Sequence, residues 1–245
     1  MDVIFIIGTA GSGKSMITGA LSRSLMEDGW ETATINLDPF SDNLTYEPTI
    51  DARDYIDGIS LSRKYGLGAN GSMIFSMDMI ATMINEITME VEGADYLIVD
   101  TAGQLELFLF RQSGPYIFER IRGENKAILF VTDIFLVSEI RNFLLMEILF
   151  SAITSRFKNP VIQVINKIDL DISTTEKVKG WFKNIESLSE NLREKDYALY
   201  RLYKVAKSSG LLSPAFFTSA VNGNGIAELR AQLSRIFKGG EDKKA

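Results

Sequence analysis

The 245-residue chain contains neither cysteine nor histidine. Without cysteine there is no disulfide and no thiolate metal site. Without histidine there is no imidazole to serve as general base, proton shuttle or zinc ligand. Catalysis would therefore fall to carboxylates, amides, hydroxyls, Lys, Arg or a hard metal ion. Hydrolases of the Ser–His type, zinc enzymes and cysteine proteases are excluded on composition alone. Basic charge is also short, with 26 Lys and Arg against 32 Asp and Glu, a formal net charge of −6. That balance offers no bulk attraction to a nucleic-acid backbone or an anionic lipid surface. Long uncharged apolar runs are missing too. The greasiest stretch, 134–157, carries Glu139, Arg141, Glu147 and Arg156, so it falls short of the ~20 apolar residues that span a bilayer. The start, Met1-Asp2-Val3 and then Ile4 to Ile7, has no basic region and no small-residue cleavage site, and reads as a strand, not a signal peptide. The expectation is a cytoplasmic protein with no membrane partner and no direct nucleic-acid partner.

What remains is an ordinary globular balance, 46% hydrophobic and 24% charged, which excludes disorder and supplies a sizeable core. Short β-branched runs at 3–7, 32–36, 96–99, 127–131, 161–165 and, less clearly, 215–218 read as buried parallel strands. Helix-like segments at 15–27, 76–91, 114–122, 138–157, 176–208 and 226–237 lie between most of them. Strand alternating with helix predicts an α/β fold whose central sheet, mostly parallel, is covered on both faces. The whole reads as one domain over 1–238 with helical insertions at about 42–72 and 173–213, and a flexible tail at 239–245. Trp181, Phe182, Tyr197, Tyr200 and Tyr203 in the second insertion form a core-facing stripe or a docking surface.

Gly8-Thr9-Ala10-Gly11-Ser12-Gly13-Lys14-Ser15 fits G-x-x-x-x-G-K-[ST] without a gap, with a strand before it and a helix after it. Glycines let successive backbone N–H groups converge on phosphate oxygens, and the helix N-terminus adds its dipole. The expected nucleotide-binding run is Gly11, Ser12, Gly13, Lys14, Ser15 and Met16. Lys14 would bridge the β- and γ-phosphates, and Ser15 would place its hydroxyl on Mg²⁺. This makes the fold a P-loop NTPase.

Three further motifs lie at predicted strand ends. Asn166-Lys167-Ile168-Asp169 matches the N-K-x-D element of GTPases. Its carboxylate can accept two N–H donors from a guanine edge, a pattern adenine does not offer. Lys167 would lie over the base, and Asn166 would tie this loop to the phosphate loop. Thr218-Ser219-Ala220 resembles the companion element whose backbone, at Ser219 and Ala220, meets the guanine oxygen. Asp100-Thr101-Ala102-Gly103-Gln104 resembles the D-x-x-G element that senses the γ-phosphate. There Asp100 would hold the metal opposite Ser15, the Gly103 amide would touch the phosphate and Gln104 would orient water. The alternative for Asp100 is a helix N-cap.

The residues between these motifs narrow the resemblance. Asn36-Leu37-Asp38-Pro39, Tyr46-Glu47-Pro48, Ile50-Asp51-Ala52-Arg53-Asp54, Gly68-Ala69-Asn70-Gly71 and 100–106 together resemble the GPN-loop GTPases, in particular the archaeal homodimeric type. Two departures stand out. Ala69 replaces the proline of Gly-Pro-Asn, and Ala102 replaces the proline of Asp-Thr-Pro-Gly. Each loosens its loop by about 0.4–1 kcal/mol of unfolded-state entropy, which predicts a slower site. The resemblance implies GTP and GDP as ligands, Mg²⁺ as cofactor, a two-fold homodimer and a GTP-hydrolysing switch. It also leaves open a nucleotide-stabilised assembly factor whose client would be RNA polymerase. In a homodimer Asn70 would reach the partner's phosphate region, supplying a donor that the phosphate loop lacks at Thr9 and Ala10. Asn70 could equally mark a plain turn. Asp38 could position water or form a turn before Pro39, Glu106 is a weaker water contact, and Asp51, Arg53 and Asp54 read as a structural ion cluster.

Overall fold

A computed structural model describes residues 1–91, 93–184 and 192–238. Seven strands form the central sheet: β1 (Asp2–Gly8), β2 (Thr32–Asn36), β3 (Ile50–Asp51), β4 (Tyr96–Asp100), β5 (Lys126–Asp133), β6 (Val161–Asn166) and β7 (Phe216–Phe217). Their spatial order is β3-β2-β4-β1-β5-β6-β7, and every described pairing is parallel.

The uninterrupted apolar runs have a simple cause: these strands are buried on both faces. Along β1, Val3, Phe5 and Ile7 join one core, and Ile4 and Ile6 join the other. The first core is closed by α3 (Ala69–Ile87), α5 (Ser113–Arg120) and α6 (Ile140–Arg156). The second is closed by α1 (Lys14–Glu27) and α9 (Ile226–Lys238). Each Ile or Phe so buried contributes about 1.5–3 kcal/mol relative to exposure, which makes this two-faced sheet the stable frame of the molecule. Two short helices, α2 (Gly58–Tyr65) and α4 (Glu106–Leu109), flank it. A smaller third core joins α6 to α7 (Ile172–Lys183) and α8 (Tyr197–Ser208) through Phe143, Trp181 and Tyr203. Among the described residues no helix is long and apolar enough to cross a membrane.

Several expected boundaries are corrected. The helix expected at 76–91 begins at Ala69, so Gly68-Ala69-Asn70-Gly71 is the N-terminus of α3 and not a turn. Gly68 is its extended N-cap, and the Ser72 hydroxyl closes the first turn onto the Gly68 carbonyl at 3.0 Å. The segment at 42–72 contains β3, a 3₁₀ turn and α2. The single helix expected at 176–208 is interrupted: among the described residues α7 ends at Lys183 and α8 begins at Tyr197, after a 3₁₀ turn at Glu194–Asp196; residues 185–191 and the tail expected at 239–245 lie outside the described residues. Four of the five insertion aromatics face the third core, whereas Tyr197 is exposed.

Candidate functional site

The carboxyl ends of β1, β2, β4, β6 and β7 all open on one edge of the sheet, where ligands of open α/β folds bind. The phosphate loop leaves β1 at Gly8, where a Cβ would stand 2.0 Å from the Val131 carbonyl oxygen. Gly11 and Gly13 take left-handed φ values of 71° and 90°. At Gly13 a Cβ would also come within 2.5 Å of Asn166 Nδ2, so glycine is required twice over. No side chain caps α1, which leaves its first N–H groups for an anion. Two buried hydroxyls of the loop, Thr9 Oγ1 and Ser12 Oγ, have no hydrogen-bond partner. Lys14 is 7% exposed, and its Nζ donates to the Thr9 and Gly8 carbonyls at 3.1 and 3.4 Å. Burial pulls its ammonium below the usual lysine range, and the Asp100 and Asp38 charges partly restore it. An orphaned, uncapped and glycine-built cradle of this kind fits a polyphosphate. Met16 follows on the first turn of α1, against the second core.

Asp100 ends β4 in register with Ile6 and Asn36. It is 1% exposed. Burial pushes its carboxyl up to about 6, opposed by hydrogen bonds from Ser15 and Tyr46 and by the Lys14 charge. Tyr46 Oη donates to Asp100 Oδ2 at 3.1 Å. Ser15 and Asp100 thus bring two hard oxygen donors together beside the phosphate loop. Among the described residues no group of three or more acidic side chains could cage a metal alone. That donor set fits Mg²⁺, which binds through one or two protein oxygens, phosphate oxygens and water.

Asp38 lies within electrostatic reach of Lys14 and Asp100. One of its oxygens, Oδ1, accepts the Phe40 N–H at 3.0 Å, so it also forms the turn at Pro39. Below it, Asn36 Nδ2 donates to Asp51 Oδ1 at 3.0 Å, and Arg53 clamps Asp51 at 2.6 Å. Asp54 adds its negative charge beside Arg53. On the other side, a Cβ at Gly103 would lie 3.7 Å from Ala10 and 3.9 Å from Lys14 Nζ. The next residue, Gln104, donates from Nε2 to Asn70 Oδ1 at 3.2 Å. Glu106 is exposed at the start of α4.

At the base-reading end, buried Asn166 joins three segments. Its Nδ2 donates to the Ser12 carbonyl at 3.0 Å, and its Oδ1 accepts from the Ala220 N–H at 3.1 Å and Thr218 Oγ1 at 3.3 Å. Lys167 has φ 65°, the one left-handed non-glycine among the described residues. That conformation costs about 1–2 kcal/mol and is held by the hydrogen bonds of Asn166 and Ile168 on either side. Asp169 is exposed beyond it, and the Ile168 N–H is pinned to the Thr218 carbonyl at 3.2 Å. The Ser219 N–H donates to Asn224 at 2.9 Å, which turns that loop back.

The arrangement brings together Lys14, Ser15, Asp38, Asp100 and Gly103, joins Gln104 to Asn70, and links Asn166 to Ser12 and Ala220. Three braces lie inside the motifs quoted above, but their contacts are not legible from spacing. Tyr46 and Asn36 act through neighbours distant in sequence, and Thr101 Oγ1 donates to the Ile6 carbonyl at 2.7 Å.

A strand–loop–helix phosphate cradle at the carboxyl edge of an all-parallel sheet defines a P-loop NTPase. Residues 6–237 match a family described as "Conserved hypothetical ATP binding protein". GPN-loop GTPase PAB0955 of Pyrococcus abyssi is 31% identical over 198 residues, covering 78% of this chain and 77% of the relative. Its crystal structure, a GTPase in apo form, superposes with a TM-score of 0.84 at 26% identity over 96% of this chain and 97% of that one. GPN-loop GTPase 1 of Dictyostelium discoideum is 29% identical over 92% of this chain, which spans 59% of that relative. The chain belongs to the GPN-loop GTPase family.

Proposed function

We propose that the protein binds GTP and GDP with Mg²⁺ and hydrolyses GTP as a homodimeric switch. The observation that carries this reading is the buried Asn166, whose hydrogen bonds join the phosphate loop to the Asn166–Asp169 loop and the Ala220 backbone. That linkage couples a triphosphate cradle to a guanine-reading carboxylate. The family's description names ATP, but an acidic acceptor at Asp169 suits the guanine donors.

In this reading Gly11, Ser12, Gly13 and Met16 present the cradle, and Lys14 releases the Thr9 and Gly8 carbonyls to meet the phosphates. Asp169 accepts from the base and Lys167 covers it; the Ser219 and Ala220 N–H groups, which here donate to the Asn224 carbonyl and to Asn166 Oδ1, would turn or share those bonds to meet the base oxygen. Ser15 and Asp100 hold the metal, which supplies neutralisation of the charge developing on the phosphates. Gly103 approaches the γ-phosphate, and Gln104 and Asp38 orient the attacking water. Asn70 adds an amide donor where charge develops, in its own site or across a dimer.

A second reading, an assembly factor with slow hydrolysis, is favoured by the Gln104–Asn70 hydrogen bond, which occupies the water-orienting amide. Exposed Leu202 and Val205 on α8 are a candidate face for its client, which the family resemblance makes RNA polymerase in assembly. Steady-state hydrolysis with and without Mg²⁺, against ATP, tests the first reading. Magnesium-dependent GTP turnover that ATP does not match is expected. Equal affinity for ATP and GTP would sink the guanine assignment.

A further inference from the structure

One short strap between β2 and β3 touches both proposed metal donors. Thr45 Oγ1 donates to the Ser15 carbonyl at 3.1 Å, and the neighbouring Tyr46 Oη donates to Asp100 Oδ2 at 3.1 Å. The strap lies flush on α1 because residue 19 is glycine. A Cβ there would stand 3.2 Å from Tyr46 Cβ and 3.5 Å from the Thr45 carbonyl oxygen. A single dipeptide thus grips the backbone of one donor and the carboxylate of the other, from a segment that reaches neither through the sheet.

A carboxylate at the end of a buried strand can rotate about its own side-chain bonds. A donor fixed on one oxygen holds it in one orientation and keeps its negative charge stabilised. Outer partners of metal-ligating groups are commonly worth about 10–100-fold in metal affinity. We propose that Tyr46 is a positioning residue for Asp100: its hydroxyl holds Oδ2 so that the carboxylate stays turned toward Ser15, and so sets how tightly Mg²⁺ seals the bound guanine nucleotide. The inference rests on the metal and nucleotide reading above. It concerns a residue whose role runs through the Asp100 carboxylate.

The test is release of a fluorescent GDP analogue from the full chain across a Mg²⁺ titration, with an EDTA arm. Tyr46→Phe keeps the ring and removes only the hydroxyl. Its Mg²⁺ midpoint for slowing release should rise about 10–100-fold, while affinity in EDTA stays within about twofold of wild type, since the hydroxyl acts only through the metal-holding carboxylate. Gly19→Ala lifts the strap without altering either donor and, as a helix-favouring change, keeps the fold. It should shift the midpoint the same way by less. An unchanged midpoint in Tyr46→Phe, with wild type binding the analogue normally, would overturn the positioning role alone. Equal loss of affinity in EDTA and in Mg²⁺ would assign Tyr46 to loop packing instead. Absence of any nucleotide binding by wild type would overturn the functional reading and this one together.

Discussion

Glu147 offers a quantitative check on the packing of the sheet against its helices. It sits on α6, 1% exposed, and its Oε1 accepts from Gln163 Nε2 of β6 at 2.5 Å. The Gln163 Oε1 atom has no partner. Burial pushes the Glu147 carboxyl from 4.5 up to about 7, against the Gln163 hydrogen bond and the Lys207 charge; Tyr203 faces it from α8. The folded protein therefore holds this proton more tightly than the unfolded chain does. Stability from the group is present in full below pH 4.5 and is lost as pH rises through about 7. Integrating between those limits, ionisation costs the fold under about 1 kcal/mol at pH 5 and about 3 kcal/mol at pH 8. Glu147→Gln keeps the shape and the acceptor but cannot ionise. Urea unfolding of both proteins at pH 5 and pH 8 should show the variant gaining about 2–3 kcal/mol on wild type between the two, because every other titrating group cancels in the difference. A stability difference that is the same at both pH values would refute the buried, ionisation-resistant carboxyl.

Asp169→Asn should weaken GTP by about 100-fold, since one charge-assisted hydrogen bond becomes a donor facing a donor and the other loses its charge, and should improve xanthosine triphosphate, whose edge offers an acceptor in place of a donor; competition binding reads both. Lys14→Ala and Asn70→Ala, each inactive alone, should regain roughly a quarter of wild-type turnover when their subunits exchange, if Asn70 serves the neighbouring protomer of a two-fold dimer. No regain, with exchange verified by mass, would count against the trans role or against the premise that one intact site suffices to close the dimer.

What was legible follows from how local each feature is. The long strands announced themselves because burial on both faces demands an unbroken apolar run, as in Val3 to Ile7. Strand β3 did not, because two residues carry no periodicity. Its place is set by Ile50 and Asp51 pairing with Ile35 and Asn36. The start of α3 was hidden by Gly71, which costs a helix about 1 kcal/mol, and by Gly68, which reads as loop and serves as the N-cap. Burial of Met73, Met77, Ile80 and Ile84 on one face outweighs that cost. The division between α7 and α8 was masked by helix-favouring, charged composition over the whole of 176–208.

The same distinction explains the site and constrains its chemistry. The phosphate loop is a chain-local device, so eight consecutive residues specify it. The Gln104–Asn70 pair joins residues 34 apart through side chains alone, and no spacing rule reveals it. Its position nonetheless changes what Asn70 can do. A residue on a free loop could swing across to a neighbour. Asn70 stands instead on the first turn of a 19-residue helix whose opposite face is packed into the core. It cannot move far without its helix, and moving that helix would expose several buried Met and Ile side chains at about 1.5–3 kcal/mol each. Delivery to a neighbouring site therefore requires the partner's phosphate loop to dock against a preformed helix end, where Asn70 can donate from Nδ2 while its Oδ1 still accepts from Gln104. Rigid-body docking of two protomers, and not closure of a flexible loop, is the motion through which such a switch would work.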